Sequence, residues 1–153
     1  MKYLLAIFFT LNTFLFADLI YPLNNSYLNY IHVLFEWEQE PDAVSYNLQA
    51  SNQQSFNNIL VDTQETTTAY IDSVNLYWGN TYYWKVRPIY DDGSFGEWSE
   101  ISDFSIGEKQ FPEREADIYN DNLVQDGLVA FGGFFPVCSS AVIDKYGNEI
   151  WNT

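Results

Sequence analysis

The chain is 153 residues long, 47% hydrophobic and 19% aromatic, with 21 acidic side chains against six basic ones and a formal net charge of −15. So acidic a surface repels nucleic acid and anionic lipid, and neither is expected as a partner. Cys138 is the single cysteine, which excludes an intrachain disulfide and leaves the core to the packing of large aromatic side chains.

Met1-Lys2 is followed by an almost uninterrupted apolar run from Tyr3 to Phe16, then by Ala17 and Asp18. One basic residue, about a dozen apolar ones and a small residue before the first acid form the pattern of a secretory signal peptide. The run is shorter than the ~20 residues that span a bilayer, which argues against a membrane anchor. Cleavage is expected after Ala17, although Leu15 is larger than the residue usual two positions earlier. The product is expected to be secreted, periplasmic or on the cell surface, free of the membrane, and monomeric. Lys2 leaves with the leader, so five basic residues remain and the net charge falls to near −16. The chain after Ala17 is long enough for one compact domain of about 90 residues and a remainder too short for a second.

Ile20-Tyr21-Pro22 reads as a short edge strand, because proline cannot donate to a central ladder, and Asn24-Asn25-Ser26 as a turn. The turn also matches a glycosylation acceptor pattern, a short and weak signal. Val33, Phe35 and Trp37 alternate with Leu34, Glu36 and Glu38, predicting a half-buried strand. Glu40-Pro41-Asp42 is a turn, and Ser45 to Ser51 a third strand with Tyr46, Leu48 and Ala50 on one face and Ser45, Asn47 and Gln49 on the other. A polar loop holding Phe56 leads to a short strand at Ile59-Leu60-Val61, and Thr66 to Ile71 is β-prone. Thr81 to Tyr90 is a long strand in which Tyr82, Trp84 and Val86 face inward and Tyr83, Lys85 and Arg87 outward. Asp91-Asp92-Gly93-Ser94 turns the chain, and Ile101 to Ile106 is the last of seven short strands. With no helical period of any length, a Greek-key β-sandwich is predicted.

Leu76, six residues before Tyr82 with Gly79-Asn80-Thr81 between, resembles the tyrosine corner of immunoglobulin-like sandwiches, where a tyrosine hydroxyl bonds back to upstream backbone. Phe35-Glu36-Trp37, Tyr46 to Ser51 with Phe56 behind it, Leu76 to Arg87, and Trp98-Ser99 follow one another in the order found in fibronectin type III domains. Residues 20 to 106 therefore resemble that family, and specifically its exported bacterial members. The chain departs from the pattern at Asp72-Ser73-Val74-Asn75, which replaces a short apolar lead-in to the corner.

From Glu108 to Asn122 the sequence is polar, contains Pro112, and follows neither the helical nor the strand period, which reads as a linker. Asp126 to Gly133 and Ser140 to Asp144 are then two apolar runs, and Lys145-Tyr146-Gly147-Asn148 turns into Glu149-Ile150-Trp151. Two or three such strands are marginal without a covering layer, so this part is expected to belong to a larger β unit. Ala141 to Trp151 resembles the first blade of arylsulfotransferase-like and quinoprotein-like β-propellers, in which an Asp-x-x-Gly turn and a strand ending in Trp recur; one copy is present, and an appended hairpin is the alternative. The organisation expected is signal peptide 1–17, sandwich 18–107, linker 108–122 and incomplete β segment 123–153, the whole all-β.

Little chemistry accompanies this framework. His32 is the lone histidine, Ser139 and Ser140 lack a Gly-x-Ser-x-Gly elbow, and Cys138 has no second thiol, so neither a nucleophile with its base nor a zinc site is expected. Asp91-Asp92 is turn chemistry, and Asp117, Asp121 and Asp126 lack the order of a calcium loop. No catalytic residue, metal or cofactor is expected. Tyr77, Trp78, Phe95 and Trp98 fall in or beside loops and are the candidate binding residues, for a protein or polysaccharide at the cell exterior. For Trp98 the competing expectation is cation–π packing against Lys85 and Arg87. The function expected is a non-catalytic exported fibronectin type III module, a spacer or interaction unit at the front of a longer protein. Two alternatives stand beside it: the front of an arylsulfotransferase-like enzyme, and a carbohydrate-binding module.

Overall fold

The computed structural model describes residues 17–110, 120–133 and 139–153. Residues 1–16, which carry most of the expected leader, the centre of the linker with Asp117, and Cys138 lie outside the described residues. The strands are β1 (Leu19–Tyr21), β2 (Ser26–Leu28), β3 (Val33–Trp37), β4 (Ala43–Ser51), β5 (Ile59–Glu65), β6 (Ala69–Asp72), β7 (Thr81–Tyr90), β8 (Ser102–Ile106), β9 (Leu128–Gly133), β10 (Ser139–Asp144) and β11 (Glu149–Asn152). One 3₁₀ turn, Asp121–Leu123, is the only helical element among the described residues, and no helix among them is long and apolar enough to cross a membrane.

Two sheets face each other, a three-stranded one in the order β1-β3-β6 and a five-stranded one in the order β2-β8-β7-β4-β5. This is the all-β sandwich that the sequence implies. The alternation in β3 and β7 works as expected: Val33, Phe35, Trp84 and Val86 have no solvent exposure, and Trp37 and Tyr82 retain 1%. Phe35 meets Trp84 edge-on with ring centres 5.2 Å apart and Phe104 at 5.9 Å, while Trp37 meets Tyr46 at 5.5 Å. Each such pair adds about 0.5–1.5 kcal/mol beyond the area it buries, which lets a disulfide-free core of this size hold together.

Three local readings change. The sandwich has eight strands rather than seven, because Ser26–Leu28 forms β2, pairing parallel with β8. The turn at Asn24-Asn25 is real, with Ser26 N–H donating to Leu23 at 3.0 Å and Asn25 in the left-handed region. Asn24 Oδ1 accepts the Asp103 amide at 3.0 Å and Asn25 N–H donates to the Asp103 carbonyl at 2.8 Å, which steers the next three residues onto the sheet edge. Three residues are too few to show a period. β4 and β5 also run longer than predicted, β4 by Ala43 and Val44, which continue it along β7 (Ala43↔Tyr90), and β5 by Asp62 to Glu65, paired with β4 as far as Tyr46↔Glu65.

The third change concerns Asp72, which ends β6 where the sequence departs from the pattern it resembles. It is 1% exposed, and its carboxylate accepts from Asn75 N–H at 2.8 Å, Asn75 Nδ2 at 2.7 Å, Val74 N–H at 3.3 Å and the Tyr70 hydroxyl at 3.4 Å. A buried carboxylate is tolerated when its lone pairs are filled in this way. The turn is thus built on hydrogen bonds instead of apolar contact, and β6 keeps its register on β3 from Glu36↔Ala69 to Val33↔Asp72.

Beyond the sandwich, β9, β10 and β11 form an antiparallel meander in the order β11-β10-β9. Asp144 closes its second turn: Oδ1 accepts the amides of Tyr146 at 2.9 Å and Asn148 at 2.8 Å, and Gly147 takes φ +85°. That left-handed conformation is why glycine stands there.

Candidate functional site

The four candidate aromatics separate into two pairs, one before β7 and one after it. Tyr77 and Trp78 precede it, whereas Phe95 and Trp98 follow it and fold back over its outward face at Lys85 and Arg87.

Before β7, the corner places Tyr77 outward, 62% exposed, and turns Trp78 back against the core. The buried Tyr82 hydroxyl accepts from Tyr77 N–H at 2.8 Å and donates to the Tyr77 carbonyl at 3.1 Å, the tyrosine corner expected from the spacing. Burial raises the Tyr82 phenol above its usual pKa, with the backbone bond from Tyr77 opposing, so the hydroxyl stays neutral and keeps both bonds. Gly79 follows at φ +74°, and its N–H donates to the Gly107 carbonyl at 2.7 Å.

The outward face of β7 carries a ladder of alternating rings and cations. Lys85 Nζ lies 4.1 Å from the Phe56 ring centre and 4.4 Å from that of Trp98; the Arg87 guanidinium lies 4.4 Å from Trp98 and 3.9 Å from Phe95. Strand alternation puts Lys85 and Arg87 on one face, and two loops bring the rings over them. Ser99, next to Trp98, anchors the second loop by donating its N–H to Val86 O at 2.7 Å and accepting Val86 N–H on Oγ at 3.0 Å. A polar row continues sideways: Arg87 Nε donates to Asn47 Oδ1 at 3.3 Å, and Asn47 Nδ2 and Gln49 Nε2 donate to the Asp62 carboxylate at 2.8 and 3.2 Å. Burial, then the neighbouring Arg87, lowers the Lys85 ammonium pKa. Trp98 is therefore occupied by two cations, while Phe95 remains 55% exposed.

A further cluster, which sequence reading did not anticipate, joins the sandwich to the meander. β11 lies along Asn29–Ile31: Ile31 N–H donates to Ile150 O at 3.0 Å, Asn152 N–H donates to Asn29 O at 2.9 Å, and Asn29 Nδ2 returns a bond to Asn152 O. Trp78 Nε1 donates to Glu149 O at 2.9 Å, which gives the candidate Trp78 a definite partner. Glu149, 4% exposed, accepts Gln110 N–H at 2.8 Å and Asn152 Nδ2 at 2.6 Å, and Asn152 Nδ2 also donates to Glu108 O at 3.0 Å. The start of the expected linker is thereby tied down, Glu108 and Gln110 bonding directly to β11. A buried Glu and Asn in a four-residue strand were the only hint available, and their partners lie as far as 123 positions away.

His32, the lone histidine, is half-buried just ahead of β3, and Ser139 and Ser140 begin β10, paired with Gly133 and Gly132. These groups are not brought to one another.

Among solved structures, the chain is similar to an Fn3-like protein from Clostridium thermocellum, at 20% identity over 57% of this chain and 91% of that one, with a TM-score of 0.45. It is also similar to an α-L-rhamnosidase from Dictyoglumus thermophilum, at 12% identity over 82% of this chain with a TM-score of 0.50. The match spans 16% of the rhamnosidase's own length, and at that identity it bears on the fold alone. No family model matches the chain, and no curated protein does.

Proposed function

We propose that the chain is an exported, non-catalytic module of fibronectin type III kind, which acts as a spacer holding a following β segment in a set attitude. The observation that carries this reading is the junction, where β11 continues off Asn29–Ile31 and Trp78, Glu108 and Gln110 bond to Glu149 and Asn152. A flexible tether needs no such contacts, whereas a spacer that fixes orientation does. Part of the cover that the three-stranded meander needs comes from the sandwich itself. Hydrogen exchange on the full chain tests the reading. Trp78→Phe and Asn152→Ala should speed exchange of β10 and β11 amides by about tenfold or more while leaving β4 and β7 protected. Unchanged exchange in β10 and β11 would show that the junction holds nothing.

The second reading, the front of an arylsulfotransferase-like enzyme, is favoured by the meander with its Asp144 turn, the unit that recurs in such propellers. In that reading the catalytic groups lie downstream of Thr153. A reading frame that continues with several Asp-x-x-Gly and Trp repeats would support it, and an immediate stop codon would defeat it.

A further inference from the structure

The meander presents one sheet edge that nothing covers among the described residues. Thr153 N–H donates to Ser140 O at 3.2 Å and Asp144 N–H to Asn148 O at 3.0 Å, so Ser140, Val142 and Asp144 turn their backbone groups toward β11. Alternation along an antiparallel strand then turns those of Ser139, Ala141 and Ile143 toward β9, where they pair with Gly133, Phe131 and Val129. Leu128, Ala130 and Gly132 are left with N–H and C=O directed away from β10, and no described residue bonds to them there. The opposite edge of the same sheet is taken, since Ile31 N–H donates to Ile150 O and Asn152 N–H to Asn29 O. β9 also lacks the usual guards of an exposed edge: Leu128–Gly133 holds no charge and no proline, and its pairing with β10 has no bulge. Leu128 is 57% exposed and Val129 55%.

We propose that β9 pairs antiparallel with β9 of a second copy of this chain, joining two meanders into one continuous sheet. Only a register that sets outward-facing residues against each other uses the free groups, and centring it on Ala130 uses all of them. Leu128 then meets Gly132 of the second copy, Ala130 meets Ala130, and Gly132 meets Leu128, each pair exchanging two hydrogen bonds. The side chains suit this register. Leu128 stands over a residue with no side chain, and Val129 stands opposite Phe131, an aromatic and β-branched pair of the kind that favours cross-strand contact. Two copies of a chain with net charge −15 repel, so contact is easiest where charge is absent, and β9 is such a place. The acids beside it are held, Asp126 by Lys145 at 2.7 Å and Asp144 by the amides of its own turn. Because Asn29–Ile31 closes the other edge of each meander, the pairing ends at two copies instead of growing into a fibre. A strip of one short strand falls below the ~1,200 Å² of standard interfaces, so the dimer is expected to dissociate on dilution. Where the sequence alone is read as a monomer, the open edge points to a reversible dimer.

Sedimentation velocity of the full chain over a concentration series should show monomer passing to dimer and no larger species. The dimer should tighten as salt rises, because salt screens the repulsion between like net charges. Ala130 is exposed in the single chain and faces its own copy in the dimer, which allows a charge swap. Ala130→Glu and Ala130→Lys each set like charges opposite one another and should weaken dimerisation about fivefold, while an equimolar mixture of the two should recover it. Hydrogen exchange reads the register: the amides of Leu128, Ala130 and Gly132 should gain protection as concentration rises, and that of Val129, already bonded to Ile143, should change less. A chain that stays monomeric throughout, a dimer that neither charge variant weakens, or a mixture that fails to recover overturns the pairing. Growth beyond two copies overturns it also, since a second edge would then have to be open. Both variants keep residues 1–17 intact, so association through that apolar run would survive them and count against β9.

Discussion

The Tyr82 hydroxyl clasps the backbone of Tyr77 from both sides, taking its N–H at 2.8 Å and giving to its carbonyl at 3.1 Å. Tyr82→Phe keeps the ring in the core and removes both bonds, so the loss isolates the clasp. The expected cost is about 1–3 kcal/mol by urea denaturation, with strand content by circular dichroism unchanged. A variant as stable as the wild type would mean that water replaces the hydroxyl without penalty.

The ladder on β7 should behave as one unit. Trp98 receives both Lys85 and Arg87 on its ring. Trp98→Ala, Arg87→Ala and the double variant form a cycle whose coupling energy should be about 0.5–1 kcal/mol, the range of a partly exposed cation–π contact. A coupling indistinguishable from zero would reduce the ladder to adjacency.

Two glycines in the loop after β7 are predicted to differ in kind. A Cβ on Gly96 would stand 2.6 Å from Pro88 Cγ, whereas one on Gly93 would meet nothing within 4 Å, but Gly93 has φ +80°. Gly96→Ala should force Phe95 off its seat on Arg87 and cost about 1–3 kcal/mol by overpacking. Gly93→Ala should cost about 1–2 kcal/mol, through backbone strain alone, and leave the ladder intact. Thermal melting with the Phe95 ring resonances as a second readout separates the two.

In a chain still extended before Asp18, Glu40 should make stability fall as pH rises. Its folded pKa lies above the ordinary value, first from burial, then from Asp18 and Glu38. The folded state thus holds the proton more tightly, and stability is lost between the ordinary carboxylate pKa, about 4.3, and the raised folded one. Glu40→Gln should flatten the urea midpoint over that interval and raise it at pH 7. A midpoint profile parallel to the wild type would show that Glu40 contributes nothing to the slope.

Alternation made the sandwich readable. Val33, Phe35 and Trp37, and Tyr82, Trp84 and Val86, each declare a buried face through a period of two, and the Leu76–Tyr82 spacing declares the corner. Asp72 was legible as a departure but its solution was not, because the four donors that fill its carboxylate arise only when Tyr70, Val74 and Asn75 fold around it. β2 escaped notice because an edge strand of three residues is held by Asn24 and Asp103, 79 positions apart, with no periodic signal of its own.

The candidate residues divide along the same line. That Tyr77, Trp78, Phe95 and Trp98 lie at loops, and that Lys85 and Arg87 point away from the core, comes from sequence, since strand geometry assigns faces residue by residue. Which ring meets which partner required the tertiary structure: Trp98 is taken by two cations, Trp78 by the Glu149 carbonyl, and Tyr77 and Phe95 are left largely exposed. The junction of β11 with Asn29–Ile31 was likewise decided in three dimensions. Hydrogen bonds and buried charges depend on groups brought together from distant parts of the chain, whereas a strand's apolar face is a local property of neighbouring residues.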